Sequence, residues 1–270
     1  MNPTIPRIAE LTAPAAWRVV DFISDLHLQA SEPATVAAWE HYMAHTRADA
    51  VFILGDLFEV WVGDDVLGAN DTEAQFEAHC AHILRTTAQR CAVFFMHGNR
   101  DFLLGAAFAQ AAGLQLLADP TALGFGQQRW LLTHGDALCL DDTDYLQFRA
   151  QVRSPEWQAT FLAQPLAERR AIARGLRAQS EARKKSGAVY ADVDAAAARD
   201  WLHAAQAHEL IHGHTHKPAD HAFGTDLQRR VLSDWDAAAT PPRAEVLRLR
   251  LGRDAVQVQR LAASQAVLDH

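Results

Sequence analysis

Five short clusters in this chain bring together side chains that bind metals and phosphate. They are Asp25-Leu-His27, Gly55-Asp56, Gly98-Asn-Arg-Asp101, His134-Gly-Asp136 and Gly213-His-Thr-His216. Asp25, His27, Asp56, Asn99, His134, His214 and His216 offer hard oxygens and borderline nitrogens, with no thiolate among them. That donor set suits Mn²⁺, Fe or Zn²⁺ rather than a soft metal or an iron–sulfur cluster. Seven ligands are too many for one tetrahedral ion. They suit two ions of higher coordination if one carboxylate bridges, and such a pair clamps the attacking and leaving oxygens of a phosphoryl displacement.

Each cluster follows a short β-branched or aromatic run: Arg18–Ile23, Ala50–Leu54, Cys91–Met96, Arg129–Thr133 and the weaker Glu209–Ile211. Helix-like stretches at 34–47 and 72–89 separate the early ones. Strand, helix and strand at this spacing predict an α/β layered fold with buried, mostly parallel strands. In such a sheet the carboxyl ends of the strands line one crevice, so the five clusters converge there. Further strands are expected at 231–233, 245–251 and 255–261, the last two joined by a turn at Gly252-Arg-Asp254.

The alternation breaks between 141 and 207, where the chain has no convincing strand and reads as three or four inserted helices. The core is expected at 1–140 and 208–270, with 141–207 as a helical lid insertion. Residues 149–190 hold nine basic side chains against three acidic ones, although the whole chain has a net charge of −8. Trp157, Phe161, Leu162, Leu166, Ile172 and Leu176 share these helices.

All five clusters together resemble the calcineurin-like metallophosphoesterases. The resemblance implies a β-sandwich flanked by helices. It also implies one metal held by Asp25, His27, Asp56 and His216, and a second by Asp56, Asn99, His134 and His214, with Asp56 bridging. Many members have Gly-Asn-His-Asp where this chain has Gly98-Asn-Arg-Asp101. Arg100 cannot serve as a general acid, but its rigid fork can clamp phosphate oxygens. The leaving group must then need little protonation, as a sugar phosphate does.

Longer stretches are similar to the UDP-2,3-diacylglucosamine hydrolase family of lipid A synthesis: Gly55-Asp-Leu-Phe-Glu59 running into Trp61-Val-Gly-Asp-Asp65, His97-Gly-Asn-Arg-Asp-Phe-Leu-Leu-Gly105, His134–Asp142 and Gly213–Pro218. That resemblance implies a dimanganese enzyme releasing UMP and a 2,3-diacylglucosamine 1-phosphate. Asp56, Asn99, Arg100 and His134 would take part in catalysis. Substrate contacts would come from Asn99, Arg100, Asp142, His214 and, in the lid that holds the acyl chains, Ser180 with Lys184 or Lys185.

Several residues have plainer readings. His41 with His45, and His79 with His82, are expected on solvated helix faces. His97 and His212 are expected to support the ligands rather than bind metal. Asp101 and Asp136 are expected to orient ligands or Arg100, and Trp61 to pack in the core with Phe58. Two other functions were weighed. A hydrolase of soluble nucleotides has no need for apolar lid residues, and a catalytically dead scaffold would have lost ligands that this chain keeps.

The acidic balance lacks the basic field of a nucleic-acid binder. Cys80, Cys91 and Cys139 have no paired spacing and read as free thiols of a reducing compartment. No apolar run is long enough to span a bilayer and no signal peptide is evident. The expected location is the cytoplasmic face of the inner membrane, bound peripherally, with no required protein partner.

Overall fold

The central strands form where apolar residues run unbroken, because both faces of those strands are covered. The computed structural model describes residues 5–185, 191–224 and 226–268, and within 179–185 the backbone alone. Its elements in chain order are β1 (Ala9–Thr12), β2 (Val19–Ile23), α1 (Pro33–His45), β3 (Ala50–Leu54), α2 (Thr72–Ala88), β4 (Ala92–Met96), α3 (Ala106–Ala112), β5 (Gln115–Leu117), β6 (Thr121–Phe125) and β7 (Gln128–Thr133). Four helices follow: α4 (Thr143–Val152), α5 (Pro155–Leu162), α6 (Leu166–Lys185) and α7 (Ala195–Ala205). The chain then returns through β8 (Glu209–His212), β9 (Ala219–Ala222), β10 (Gln228–Val231), β11 (Glu245–Leu251), β12 (Val256–Ala262) and α8 (Ala263–Ala266).

Two six-stranded sheets pack face to face, ordered β12-β11-β2-β3-β4-β5 and β1-β6-β7-β8-β10-β9. Val20, Phe22, Phe52, Leu54, Phe94 and Met96 point from the first sheet towards Leu123, Trp130, Leu132 and Ile211 of the second. Alternate residues of the same strands, Ile23, Val51, Ile53, Val93 and Phe95, pack under the helices. This two-residue alternation with both faces buried explains the unbroken apolar runs. Phe22, Phe52 and Phe94 stack across β2, β3 and β4 with ring centroids 5.0 and 4.7 Å apart.

Both sheets are mixed, with six of the ten strand pairings among the described residues parallel. β2 to β5, β1 with β6, and β7 with β8 and β10 run parallel, whereas β6/β7, β9/β10, β2/β11 and β11/β12 run antiparallel. The turn at 252–254 joins β11 to β12 as expected. The strand expected at 231–233 lies at Gln228–Val231 instead, because its apolar end is where the chain leaves the sheet towards the crevice.

Between β7 and β8 the chain is helical among the described residues. Asp142, Ser154 and Asp194 accept the capping N–H groups of Tyr145, Trp157 and Ala197, so three of these helices begin where a capping side chain stands. α7 packs Ala198, Trp201 and Leu202 onto Leu131 and Leu210 of the second sheet. α6 is fastened near its start by Arg169, which is buried, donates to the Val62 carbonyl and pairs with Asp65.

Candidate metal centre

The strand ends turn sharply into the crevice, and the strain of those turns falls on the candidate ligands. Seven described non-glycine residues have positive φ. Five of them are Asp25 (53°), His27 (49°), Asp56 (53°), His214 (67°) and His216 (53°). Such backbone costs of order 1–3 kcal/mol per residue and persists only where the surroundings over-determine it. Two neighbouring glycines allow the turns to nest. A Cβ on Gly98 would lie 2.0 Å from Asp56 Oδ1, and one on Gly213 would lie 2.3 Å from Asp25 Oδ2.

All seven predicted ligands come together. His216 Nε2 lies 3.4 Å from Asp25 Oδ1 and 3.3 Å from His27 Nε2. Asp56 Oδ2 is 4.0 Å from His27 Nε2, and Oδ1 is 3.8 Å from His134 Nε2. Asn99 Oδ1 lies 3.0 Å from His134 Nε2 and 2.9 Å from His214 Nδ1. Donor atoms of Asp25, His27 and His216, and separately of Asp25, Asp56 and His134, lie within 4.8 Å of one another, close enough to share an ion. Asp25 and Asp56 therefore stand between the two histidine groups.

The donors also have the orientation that a cation needs. The Nδ1 of His134 lies 2.9 Å from the Leu54 carbonyl oxygen, which makes Nδ1 the protonated nitrogen and turns Nε2 into the crevice. Asp25 Oδ2 accepts from Ser24 Oγ and the His214 N–H, while its buried Oδ1 has no hydrogen-bond partner. An uncompensated buried carboxylate oxygen facing imidazole nitrogens fits a divalent ion. Burial alone would raise the Asp25 carboxyl, but His216, His134 and His27 hold it far below its usual range. Burial depresses His214 to about 4, helped by the charge of His134. A neutral imidazole is the form that binds metal.

The supporting residues divide into two groups. Asp101, fully buried, accepts from the backbone N–H groups of Asp56, Leu57, Phe58 and Gly98, so it joins the β3 and β4 loops and does not touch the Arg100 side chain. Asp136 receives the Tyr145 hydroxyl at 2.6 Å and Arg149 Nε at 2.8 Å, and Tyr145 stacks on His214 at 5.9 Å. His97 meets the Leu104 carbonyl and His212 the Gly213 carbonyl, and neither belongs to the donor groups. His41, His45, His79 and His82 are exposed. Trp61 is buried against Phe58 and Phe108, yet its edge also lines the crevice wall.

Sequence reading missed Glu59. Its Oε2 lies 3.0 Å from His27 Nδ1, and its Oε1 lies 3.1 Å from Arg177 and 3.8 Å from Arg100. Burial raises this carboxyl, but His27, Arg100 and Arg177 more than offset that and keep it ionised. The available signal was local: Glu59 is the one charged side chain in the apolar run 57–62.

A cavity of about 710 Å³ opens from the donors into the helical insertion. His27, Asp56, Asn99, Arg100, His214 and His216 line it together with Phe102, Phe148, Trp157, Phe161 and Leu176. Asp142 lies on the same wall and caps α4. Leu162 and Ile172 stay partly exposed outside it. Ser180, Lys184 and Lys185 fall on the last turns of α6, where the side chains lie outside the described residues.

The calcineurin-like phosphoesterase profile matches residues 19–218. A UDP-2,3-diacylglucosamine hydrolase of Chromobacterium violaceum is 47% identical over 80% of this chain and 90% of its own length. Those of Cellvibrio japonicus (44% identical, 81% and 95%) and Bordetella pertussis (43%, 82% and 87%) are similar over comparable shares. The matched span runs from β2 to just beyond His216 and so contains every predicted ligand. This chain belongs to the calcineurin-like phosphoesterase family, in the group of the UDP-2,3-diacylglucosamine hydrolases.

Proposed function

We propose that the chain hydrolyses the diphosphate of a UDP-linked 2,3-diacylglucosamine at a centre of two Mn²⁺ ions, releasing UMP and 2,3-diacylglucosamine 1-phosphate in lipid A biosynthesis. The observation that carries this reading is one cavity lined both by metal-type donors and by aromatic and aliphatic side chains of the insertion. A nucleobase could stack on the aromatic rings, but the aliphatic lining such as Leu176 favours an acyl chain, at about 0.8 kcal/mol per buried methylene.

Asp25, His27, Asp56 and His216 would hold one ion, and Asp56, Asn99, His134 and His214 the other. When bound, such a pair makes water acidic enough to attack near neutral pH and offsets charge on the phosphate. Arg100 stands beside Asn99 with its Nε buried and without a hydrogen-bond partner, so its fork is available to phosphate oxygens. The clamped phosphate is the one bearing uridine. Water forms a new P–O bond there, and the bond to the bridging oxygen breaks with its electron pair leaving on the sugar phosphate. That leaving group needs little protonation, consistent with an arginine where many relatives have histidine.

The insertion at 141–207 acts as the lid, with Asp142, Ser180 and Lys184 or Lys185 contacting the head group. The basic stretch at 149–190 would bring the protein to the inner membrane, where a diacylated substrate resides. The test is hydrolysis in ¹⁸O-water with Mn²⁺, comparing the diacyl substrate with UDP-N-acetylglucosamine and a dinucleoside polyphosphate. Rapid turnover of the diacyl substrate alone, with label in UMP, is expected. Faster turnover of the dinucleoside would overturn the substrate, and label in the lipid phosphate would overturn the site of attack.

A further inference from the structure

We infer that Arg153, at the end of α4, is a positioning residue. It clamps the loop that carries Asn99 and Arg100 onto the helical insertion, and so sets both the second metal site and the phosphate clamp. The inference deepens the reading above and rests on it.

Residues 98–101 make a tight loop after β4, and the loop is fastened within itself and to the core. The Gly98 N–H donates to Asp101 Oδ1 at 2.9 Å and the Arg100 N–H to Asp56 Oδ1 at 2.9 Å, while the Arg100 carbonyl accepts the Trp61 N–H at 3.1 Å. One further fastening comes from the insertion: Arg153 Nη2 donates to the Gly98 carbonyl at 2.9 Å. Gly98 is buried, and a buried carbonyl requires a donor. The guanidinium that supplies it is held from two sides. Its Nη2 lies 3.6 Å from Asp136 Oδ2, and the group stands over the Phe102 ring, 5.8 Å from the centroid. Asp136 is fully buried and receives the Tyr145 hydroxyl and Arg149 Nε from the same helix as Arg153. Seating of α4 therefore aims Arg153, and Arg153 fixes the Gly98 peptide. The next residue is Asn99, whose Oδ1 stands 3.0 Å from His134 Nε2 and 2.9 Å from His214 Nδ1. Arg149 supplies the comparison, because it bonds the same Asp136 but turns its Nη2 towards Asp119, at 3.8 Å.

The test uses the full-length enzyme. Free Mn²⁺ is followed by electron paramagnetic resonance during titration, stability by the urea midpoint without metal, and kcat/KM on the diacyl substrate. Arg153→Met keeps an apolar stem against Phe102 but has no donor for Gly98. It is expected to weaken one of the two Mn²⁺ sites about 10- to 100-fold, the usual effect of losing an outer partner of a metal ligand. The other site should stay within a few-fold of wild type. At saturating Mn²⁺ its kcat/KM should still be about tenfold low, because Arg100 shares the loop. Arg153→Gln, polar but too short to reach Gly98, should show the same loss at one site. Arg149→Met should lower the urea midpoint at least as much and leave both Mn²⁺ isotherms within a few-fold of wild type, a split that a merely structural role would not produce. Wild-type affinity at both sites in Arg153→Met and Arg153→Gln, or equal weakening in Arg149→Met, would overturn the inference. The isotherms need no substrate, so failure of the substrate assignment is read separately from failure of the role of Arg153.

Discussion

Asp56 reaches towards both histidine groups: Oδ1 lies 3.8 Å from His134 and Oδ2 4.0 Å from His27, and Oδ1 also accepts the Arg100 N–H at 2.9 Å. Asp56→Ala is therefore expected to lose both ions and nearly all activity, whereas His216→Ala should deplete mainly one. Elemental analysis of the purified variants checks this, and two full ions in Asp56→Ala would reject the bridge. Arg100 acts through shape as well as charge. Arg100→Lys should lose about ten- to a hundred-fold in kcat/KM, because one charge-assisted hydrogen bond contributes about 1.5–3 kcal/mol. Metal content should be unchanged, and steady-state kinetics beside elemental analysis separates the two effects.

The attachment of α6 to the core is electrostatic as well as apolar. Arg170 reaches Asp71, which caps α2, at 2.5 Å, and Glu73 and Glu77 of α2 at 3.0 and 3.9 Å. Burial pushes Glu77 up to about 7, with Glu73 and Asp71 adding to the rise against the pull of Arg170. A carboxyl whose folded pKa is raised favours the fold while protonated. Its contribution is full below about pH 4.5 and disappears as pH rises through 7. Glu77→Gln should therefore leave stability at pH 5 nearly unchanged and raise it at pH 8 by about 1–3 kcal/mol. Urea midpoints of the metal-free protein at the two pH values test the sign. Further along α6, Leu176 lines the cavity and is 41% exposed, so replacing it should cost the fold little. Leu176→Asp is expected to cut hydrolysis of the diacyl substrate about tenfold or more while sparing bis(p-nitrophenyl) phosphate. Equal losses on both substrates would show that Leu176 does not meet the acyl chains.

At the scale of the molecule, charge is unevenly distributed. The chain is acidic overall, yet residues 149–190 carry nine basic side chains against three acidic ones, and the exposed Arg174 stands on the same helix as Ile172 and Leu176. No helix among the described residues is long and apolar enough to cross a membrane. On the proposed peripheral reading, contact with an anionic surface falls to the basic stretch at 149–190, each basic residue near the surface contributing about 1 kcal/mol. Binding to phosphatidylglycerol vesicles should fall steeply with salt, and Arg174→Glu should weaken it about tenfold. Co-sedimentation measures both, and binding indifferent to salt and to that substitution would place the contact elsewhere.

The sequence by itself determined the five central strands and the chemistry of their ends. A strand covered on both faces must be mostly apolar, with an exception such as Asp21 of β2 paired to the buried Arg248 of β11, and residues such as Asp25 or His134 stand where the chain leaves the sheet. The helical insertion was legible for a similar reason, since capping residues and a lack of β-branched runs are local features. β1, β5 and β9 were not legible. They have three or four residues each and no buried position, so any alternation is too short and too shallow to stand out in the sequence. α3 is alanine-rich but only seven residues long, too short to stand on propensity alone, and is held by packing such as that of Phe108 on Trp61. Only the tertiary structure decided that Asp101 grips backbone instead of Arg100, that Glu59 meets His27 and Arg177, and that the apolar insertion opens onto the metal donors. Burial periodicity follows from the repeat of the local backbone. Which distant side chains meet depends on how sheets and helices close over one another, and no local repeat encodes that.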